Sequence, residues 1–239
     1  SVDADGDDDL RASARVQAAE RLDDRRADIW LREAVDIHLA NSDQHGAAIE
    51  LLERLMERRP DEAEPALRLE NLAGQAGDWQ LRMKVGRAIL QRGLDPERRS
   101  ERLRVMADIA AHRFNDVDHA LALLQEIEPR SGIEAAETNE RMIQVAMEGG
   151  HQEMVVGLLD QVVAEAADDY TAVEALSRRA QARAAANDVD AAMEDLDQAL
   201  ARGGDALRLA AMRAELAQKS QRNDLIHAAL QTWVQELPA

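Results

Sequence analysis

The sequence contains no cysteine, so it has neither a disulfide framework nor thiolate chemistry. Aromatic residues make up only 2% of its 239 residues, with a single tyrosine and a single phenylalanine. Five prolines and twelve glycines are few for this length, which leaves little material for the turns of an all-β fold. No apolar run approaches the ~18 residues of a membrane-spanning helix, and no signal peptide is evident. Lysine occurs only at Lys84 and Lys219 among many arginines, a bias that, with the abundant alanine, suits a GC-rich bacterial gene. The net charge of −18 repels phosphate backbones and anionic lipid headgroups, which argues against a nucleic-acid partner and favours a basic protein patch or a cationic polymer. The chain opens SVDADGDDDL without an initiator methionine and reads as a piece of a longer protein. No cofactor is expected, because neither a GxSxG elbow, a phosphate-binding loop nor a dinucleotide fingerprint is present.

What is present is alanine and leucine, both strong helix formers, in a pattern that repeats. The phrase NDVD stands at 115–118 and again at 187–190, 72 residues apart. Turn-forming residues recur at Asp43, Gly77, Asn115, Gly150, Asn187 and Asn223, about 36 residues apart on average. Asn, Asp and Gly tolerate the left-handed and capping geometry of a sharp corner, and an Asp just beyond it can cap the next helix. After three of the corners an Ala and a Leu fall four residues apart, at Ala48/Leu52, Ala120/Leu124 and Ala192/Leu196, which places a small and a large residue on one helix face. Before the corners, Leu-Arg recurs at 31–32, 67–68 and 103–104. Each period therefore holds an αα-hairpin, and about six hairpins stack into one domain over residues 10–237. Residues 8–22 read as the second helix of an earlier, truncated repeat. The aspartate-rich residues 1–9 read as a solvated, mobile terminus.

The Ala-x3-Leu-x2-small or aliphatic pattern of Ala48/Leu52/Leu55, Ala120/Leu124/Ile127 and Ala192/Leu196/Ala199, the GDW corner at 77–79 and the closing Pro60 and Pro129 resemble the tetratricopeptide repeat (TPR) family over residues 28–237. The spacing drifts between 34 and 38, and the first-helix small residue and tyrosine of the family pattern are largely missing. The resemblance is to a degenerate array. It implies an all-α, right-handed αα-hairpin superhelix that binds other proteins rather than catalysing a reaction. HEAT-type arrays are the main alternative fold. The pentatricopeptide arrays share the period, but the acidity speaks against the RNA they bind.

Two charge patterns are candidate binding features. Arg32, Arg68 and Arg104 fall one per repeat, and the resemblance implies a ladder near a concave face that could hold a peptide carboxylate. The competing reading is ordinary surface pairing within one helix, Arg32 with Asp36 and Arg104 with Asp108. The second pattern is the stretch 142–177, which has no Lys or Arg. It contributes Glu148, Glu153 and Asp160, and Asp188 and Asp190 follow it, so that an acidic surface over repeats four and five would attract a basic partner. Two histidine pairs, His38/His45 and His112/His119, flank corners. Without cysteine or an HExxH spacing they point to helix ends rather than a metal. Trp30 is the one candidate stacking platform.

The sequence is further similar to the periplasmic TPR segments of bacterial exopolysaccharide export proteins of the Pel, alginate and cellulose types. That similarity implies a periplasmic, biofilm-related scaffold that recruits a polymer-modifying enzyme or guides a cationic polymer. A cytoplasmic TPR adapter or co-chaperone, and the regulatory part of an enzyme, remain the alternatives.

Overall fold

The computed structural model describes residues 2–21, 25–40 and 45–222, with side chains from residue 8 onward. The corners read at Asp43 and Asn223, and the residues His227 and Trp233, lie outside the described residues. The described chain is all-α, twelve helices with no strand among the described residues. Contacts run almost solely between helices adjacent in the chain, the signature of a hairpin array. The helices group into two compact units, Ser1–Asn115 with Glu126–Glu128, and Asp116–Gln125 with Pro129–Ala239.

The first unit holds α1 (Val2–Glu20), the hairpin α2 (Arg25–Ala40) and α3 (His45–Arg58), the hairpin α4 (Ala63–Ala76) and α5 (Trp79–Gln91), and α6 (Pro96–Arg113). Helix α1 begins at Val2, so the backbone is already helical through the aspartate-rich stretch. The second unit holds α7 (Val117–Gln125), the hairpin α8 (Gly132–Glu148) and α9 (Gln152–Glu165), the hairpin α10 (Asp169–Ala185) and α11 (Val189–Ala201), and α12 (Ala206–Lys219). Each unit has its own apolar core. Leu31, Leu52, Leu55, Leu69 and Ile89 fill the first, and Leu176, Leu196, Leu209 and Leu216 the second. All nine residues of the recurring small–large pattern are buried: Ala48, Leu52 and Leu55, Ala120, Leu124 and Ile127, Ala192, Leu196 and Ala199.

The corners explain the repeated phrase. Gly77, Asn115, Gly150 and Asn187 all have positive φ, between 52° and 75°, a conformation that Gly and Asn tolerate best. At Gly77, Gly150 and Asn187 the next amide donates back to the carbonyl four residues before the corner, Asp78 to Ala73 at 2.9 Å, His151 to Ala146 at 2.8 Å and Asp188 to Arg183 at 2.8 Å. That bond closes the first helix of the hairpin with a Schellman motif. The aspartate that follows then caps the second helix: Asp78 accepts from the Leu81 amide, Asp116 from His119 and Asp188 from Ala191. Asn-Asp thus reverses the chain with one residue and starts the next helix with the other. Helix α12 ends in the same way, with Gln221 at φ 57° and the Arg222 amide bonded to Ala217. Its corner stands two residues before Asn223.

One register is corrected. Leu31 and Leu103 are buried, whereas Leu67 is 41% exposed, and α4 buries Leu69 in its place. Leu103 stands twelve residues before its corner, Leu67 only ten. The even step of 36 residues between the Leu-Arg pairs therefore does not mark equivalent positions.

Candidate functional site

The expected arginine ladder is committed to the array itself. Arg32 donates to Glu62 and, at 3.3 Å, to Glu64. Arg68 donates to Asp36 and, at 3.3 Å, to Glu64. The within-helix pair Arg32–Asp36 is replaced by a cross-over in which Asp36 of α2 binds Arg68 of α4. Burial works against the charge on Arg68, but Asp36 and Glu64 outweigh it and hold its pKa above the ordinary value. Arg104 and Asp108 are half-buried on α6, and both are engaged. The guanidinium forks of Arg32 and Arg68 thus tie α2 to α4, and an incoming carboxylate would have to displace Glu62, Glu64 or Asp36.

The same rule answers the basic-free stretch at 142–177. Two of its carboxylates meet arginines about one repeat further along the chain. Asp169 pairs with Arg202 at 3.7 Å and Glu174 with Arg208 at 2.7 Å. Glu140 and Arg178 do the same at 2.7 Å, as do Glu53 and Lys84 in the first unit at 3.0 Å. Asp160 is exposed and paired: it binds Arg179, with Arg183 at 4.0 Å. Asp195 is fully buried and accepts from Arg179 Nε at 3.1 Å, Arg179 Nη2 at 2.6 Å and Arg183 Nη1 at 2.9 Å. Desolvation disfavours the Arg179 charge, yet Asp195 and Asp160 raise its pKa above the ordinary value. This cluster locks α9, α10 and α11 together.

The remaining predicted carboxylates gather at the corners of the second unit. Glu148 and Glu153 flank Gly150, and Asp188 and Asp190 follow Asn187. Asp116 and Asp118 occupy the matching places at the start of α7, and all six are exposed. His151 lies 3.5 Å from Asp118, His119 3.9 Å from Asp116 and Arg222 3.3 Å from Asp190. Pairs this exposed contribute little to stability, but the carboxylates together project a negative field from one edge. A cavity of about 460 Å³ opens beside Asn187, lined by Ala184, Ala185, Val189, Met212 and Leu216 and rimmed by the Glu215–Lys219 pair. The edge is acidic and exposed. It presents no paired nucleophile and base, and among the described residues no group of three or more His, Asp or Glu is disposed to hold a metal ion. No described helix is long and apolar enough to cross a membrane.

Trp79, at the start of α5, lies beneath the guanidiniums of Arg113 at 4.6 Å and Arg82 at 5.8 Å, a packed cation–π arrangement. Trp30 is 37% exposed on α2.

No protein-family model and no curated protein matches the chain. Among solved structures it is similar to MamA, at 14% identity, covering 72% of this chain and 89% of that one with a TM-score of 0.43. It is similar to YrrB, described as a TPR protein with an unusual peptide-binding site, at 13% identity, covering 92% and 99% with a TM-score of 0.42. The C-terminal part of a TPR repeat-containing protein from Cytophaga hutchinsonii gives 13% identity, 86% and 78% coverage and a TM-score of 0.47. At these TM-scores the fold assignment stands on the helices, corners and buried faces of this chain alone.

Proposed function

We propose that this chain is a binding scaffold whose acidic corner edge, in the second unit, engages a basic face of a partner protein. The observation that carries the reading is the recurrence of exposed carboxylates at the corners. Asp116 and Asp118, Glu148 and Glu153, and Asp188 and Asp190 stand at three successive corners of the second unit, and all six are exposed. Such an edge accelerates the encounter with a basic partner in a salt-dependent way. A cationic amino-sugar polymer would be drawn by the same field. The finer reading, a periplasmic scaffold of bacterial exopolysaccharide export that recruits a polymer-modifying enzyme, is supported by that charge and by the likeness of the repeat pattern to such segments. A carboxylate-clamp adapter finds less support, because Arg32 and Arg68 are already held by the array's own acids.

The test is affinity capture from a bacterial envelope extract with the wild-type chain and with a Glu148→Gln/Glu153→Gln/Asp190→Asn variant, followed by identification of what is retained. The reading expects a basic polymer-modifying enzyme, held at low salt, released at high salt and lost by the variant. Equal capture of the same proteins by both chains at both salt concentrations would refute it.

A further inference from the structure

The first unit contains a cavity of about 180 Å³ between α3, α4 and α5. Its apolar lining is Met56 from α3, the buried Leu69 from α4, and Val85 and Ala88 from α5. Four charged residues line it as well: Glu53 and Glu57 of α3, Lys84 of α5, and Arg92 just beyond α5. Lys84 and Glu53 satisfy each other at 3.0 Å. Arg92 and Glu57 are left over. Among the described residues neither has an ion-pair or side-chain hydrogen-bond partner, and they do not pair with each other across the cavity.

Arg92 is the exception in this array. It is half-buried, and its Nη1 is shut off from solvent with no hydrogen-bond partner. Every other buried or half-buried arginine among the described residues is engaged, as Arg59 is by Asp28, Arg102 by Glu70 and Arg82 by the Trp79 ring. A guanidinium that gives up hydration without gaining a partner costs stability. At the wall of an apolar cavity, such a group marks a place where the acceptor comes from outside the chain.

We infer that this cavity binds a small zwitterion, a free α-amino acid with an aliphatic side chain of about leucine size. Its carboxylate takes the Arg92 guanidinium, its ammonium group takes Glu57, and its side chain lies against Met56, Leu69, Val85 and Ala88. A pure anion would meet the repulsion of Glu57 and a pure cation that of Arg92, so a ligand carrying both charges is the one that neither repels. Apolar cavities of ~150 Å³ take a molecule the size of benzene, so this one has room for a ligand of about nine non-hydrogen atoms, the size of leucine. The site belongs to the first unit and does not depend on the acidic corner edge of the second.

Calorimetric titration of the whole chain with L-leucine tests the assignment. One leucine per chain should bind, with a dissociation constant of about a millimolar. Binding should weaken about tenfold or more in Arg92→Met and about threefold in Glu57→Gln, and it should be unchanged in Glu148→Gln/Glu153→Gln/Asp190→Asn. Leucinamide, which lacks the carboxylate, should not bind. N-acetyl-leucine keeps the carboxylate but lacks the ammonium group, as the end of a peptide chain does; it should bind more weakly than leucine, and equally to wild type and Glu57→Gln. Arg92→Met should unfold at the same temperature as wild type or higher, because it removes an unmatched cation, whereas an arginine kept for structure would lower the midpoint. Ala88→Leu fills the cavity and should abolish binding while circular dichroism stays unchanged. The proposal is overturned if leucine shows no saturable binding in the millimolar range, or if Arg92→Met binds it as well as wild type does. It is also overturned if N-acetyl-leucine binds as tightly as leucine, since the site would then serve chain ends rather than free amino acids.

Discussion

Replacing Asp195 with alanine should unlock the second unit. Asp195 is wholly buried and takes three hydrogen bonds from two arginines, at 3.1, 2.6 and 2.9 Å. Its removal leaves Arg179, itself 8% exposed, with Asp160 as its remaining acidic partner, and leaves Arg183 with the Ala191 carbonyl at 3.3 Å and Asp160 at 4.0 Å. Breaking a buried ion pair from one side costs about 3–5 kcal/mol, because the partner charge stays desolvated. Domains of this kind have about 5–15 kcal/mol in total, so a large share of the unit's stability is at stake. The apolar double variant Arg179→Met/Asp195→Leu removes both sides and should recover most of the loss. The measurement is hydrogen exchange at the core amides of α10 and α11, which reports the second unit alone. A loss below about 1 kcal/mol in Asp195→Ala, or a double variant less stable than the single one, would show that the cluster is not the lock described here.

Asp28 provides a pH test in the first unit. It is buried, and although burial disfavours its charge, the Arg58 and Arg59 bonds at 2.8 and 2.6 Å lower its pKa below the ordinary value. A carboxylate with a depressed folded-state pKa adds stability that is complete above the unfolded value, ~3.9, and fades as pH falls through the folded value. The stability difference between wild type and Asp28→Asn, about 1–3 kcal/mol at neutral pH, should therefore shrink in acid; a constant gap would contradict the assignment. Gly149→Ala would place a Cβ 2.4 Å from Val117 Cγ1 and should cost about 1–3 kcal/mol by overpacking, readable as a lower urea midpoint. At the repeated corner, Asp188→Ala should cost about 1 kcal/mol through the lost cap. Asn187→Val should cost about 1–2 kcal/mol at φ 66°, whereas Asn187→Gly should not destabilise; equal losses for both Asn187 variants would refute the left-handed corner.

The hairpin period was legible because the corner has strict stereochemistry. Few residues accept φ near 60°, so Gly77, Asn115, Gly150 and Asn187 stood out, and the buried Ala and Leu followed at fixed distances. Leu67-Arg68 misled because Leu-Arg is a common pair and the spacing between corners varies. A charge balance taken within the window 142–177 misses partners that lie a repeat away, such as Glu174 with Arg208. The same balance missed the Arg179–Asp195 lock, since nothing in the sequence marks which of many aspartates is buried.

The central claim is that the acidic corner edge steers a basic partner. Its most direct test is the association rate of the captured partner with immobilised chain, measured across salt concentrations for the wild type and the Glu148→Gln/Glu153→Gln/Asp190→Asn variant. The account predicts an on-rate that falls steeply with salt for the wild type, a slower and flatter on-rate for the variant, and similar off-rates for both. An on-rate independent of salt and equal in the two chains would contradict it.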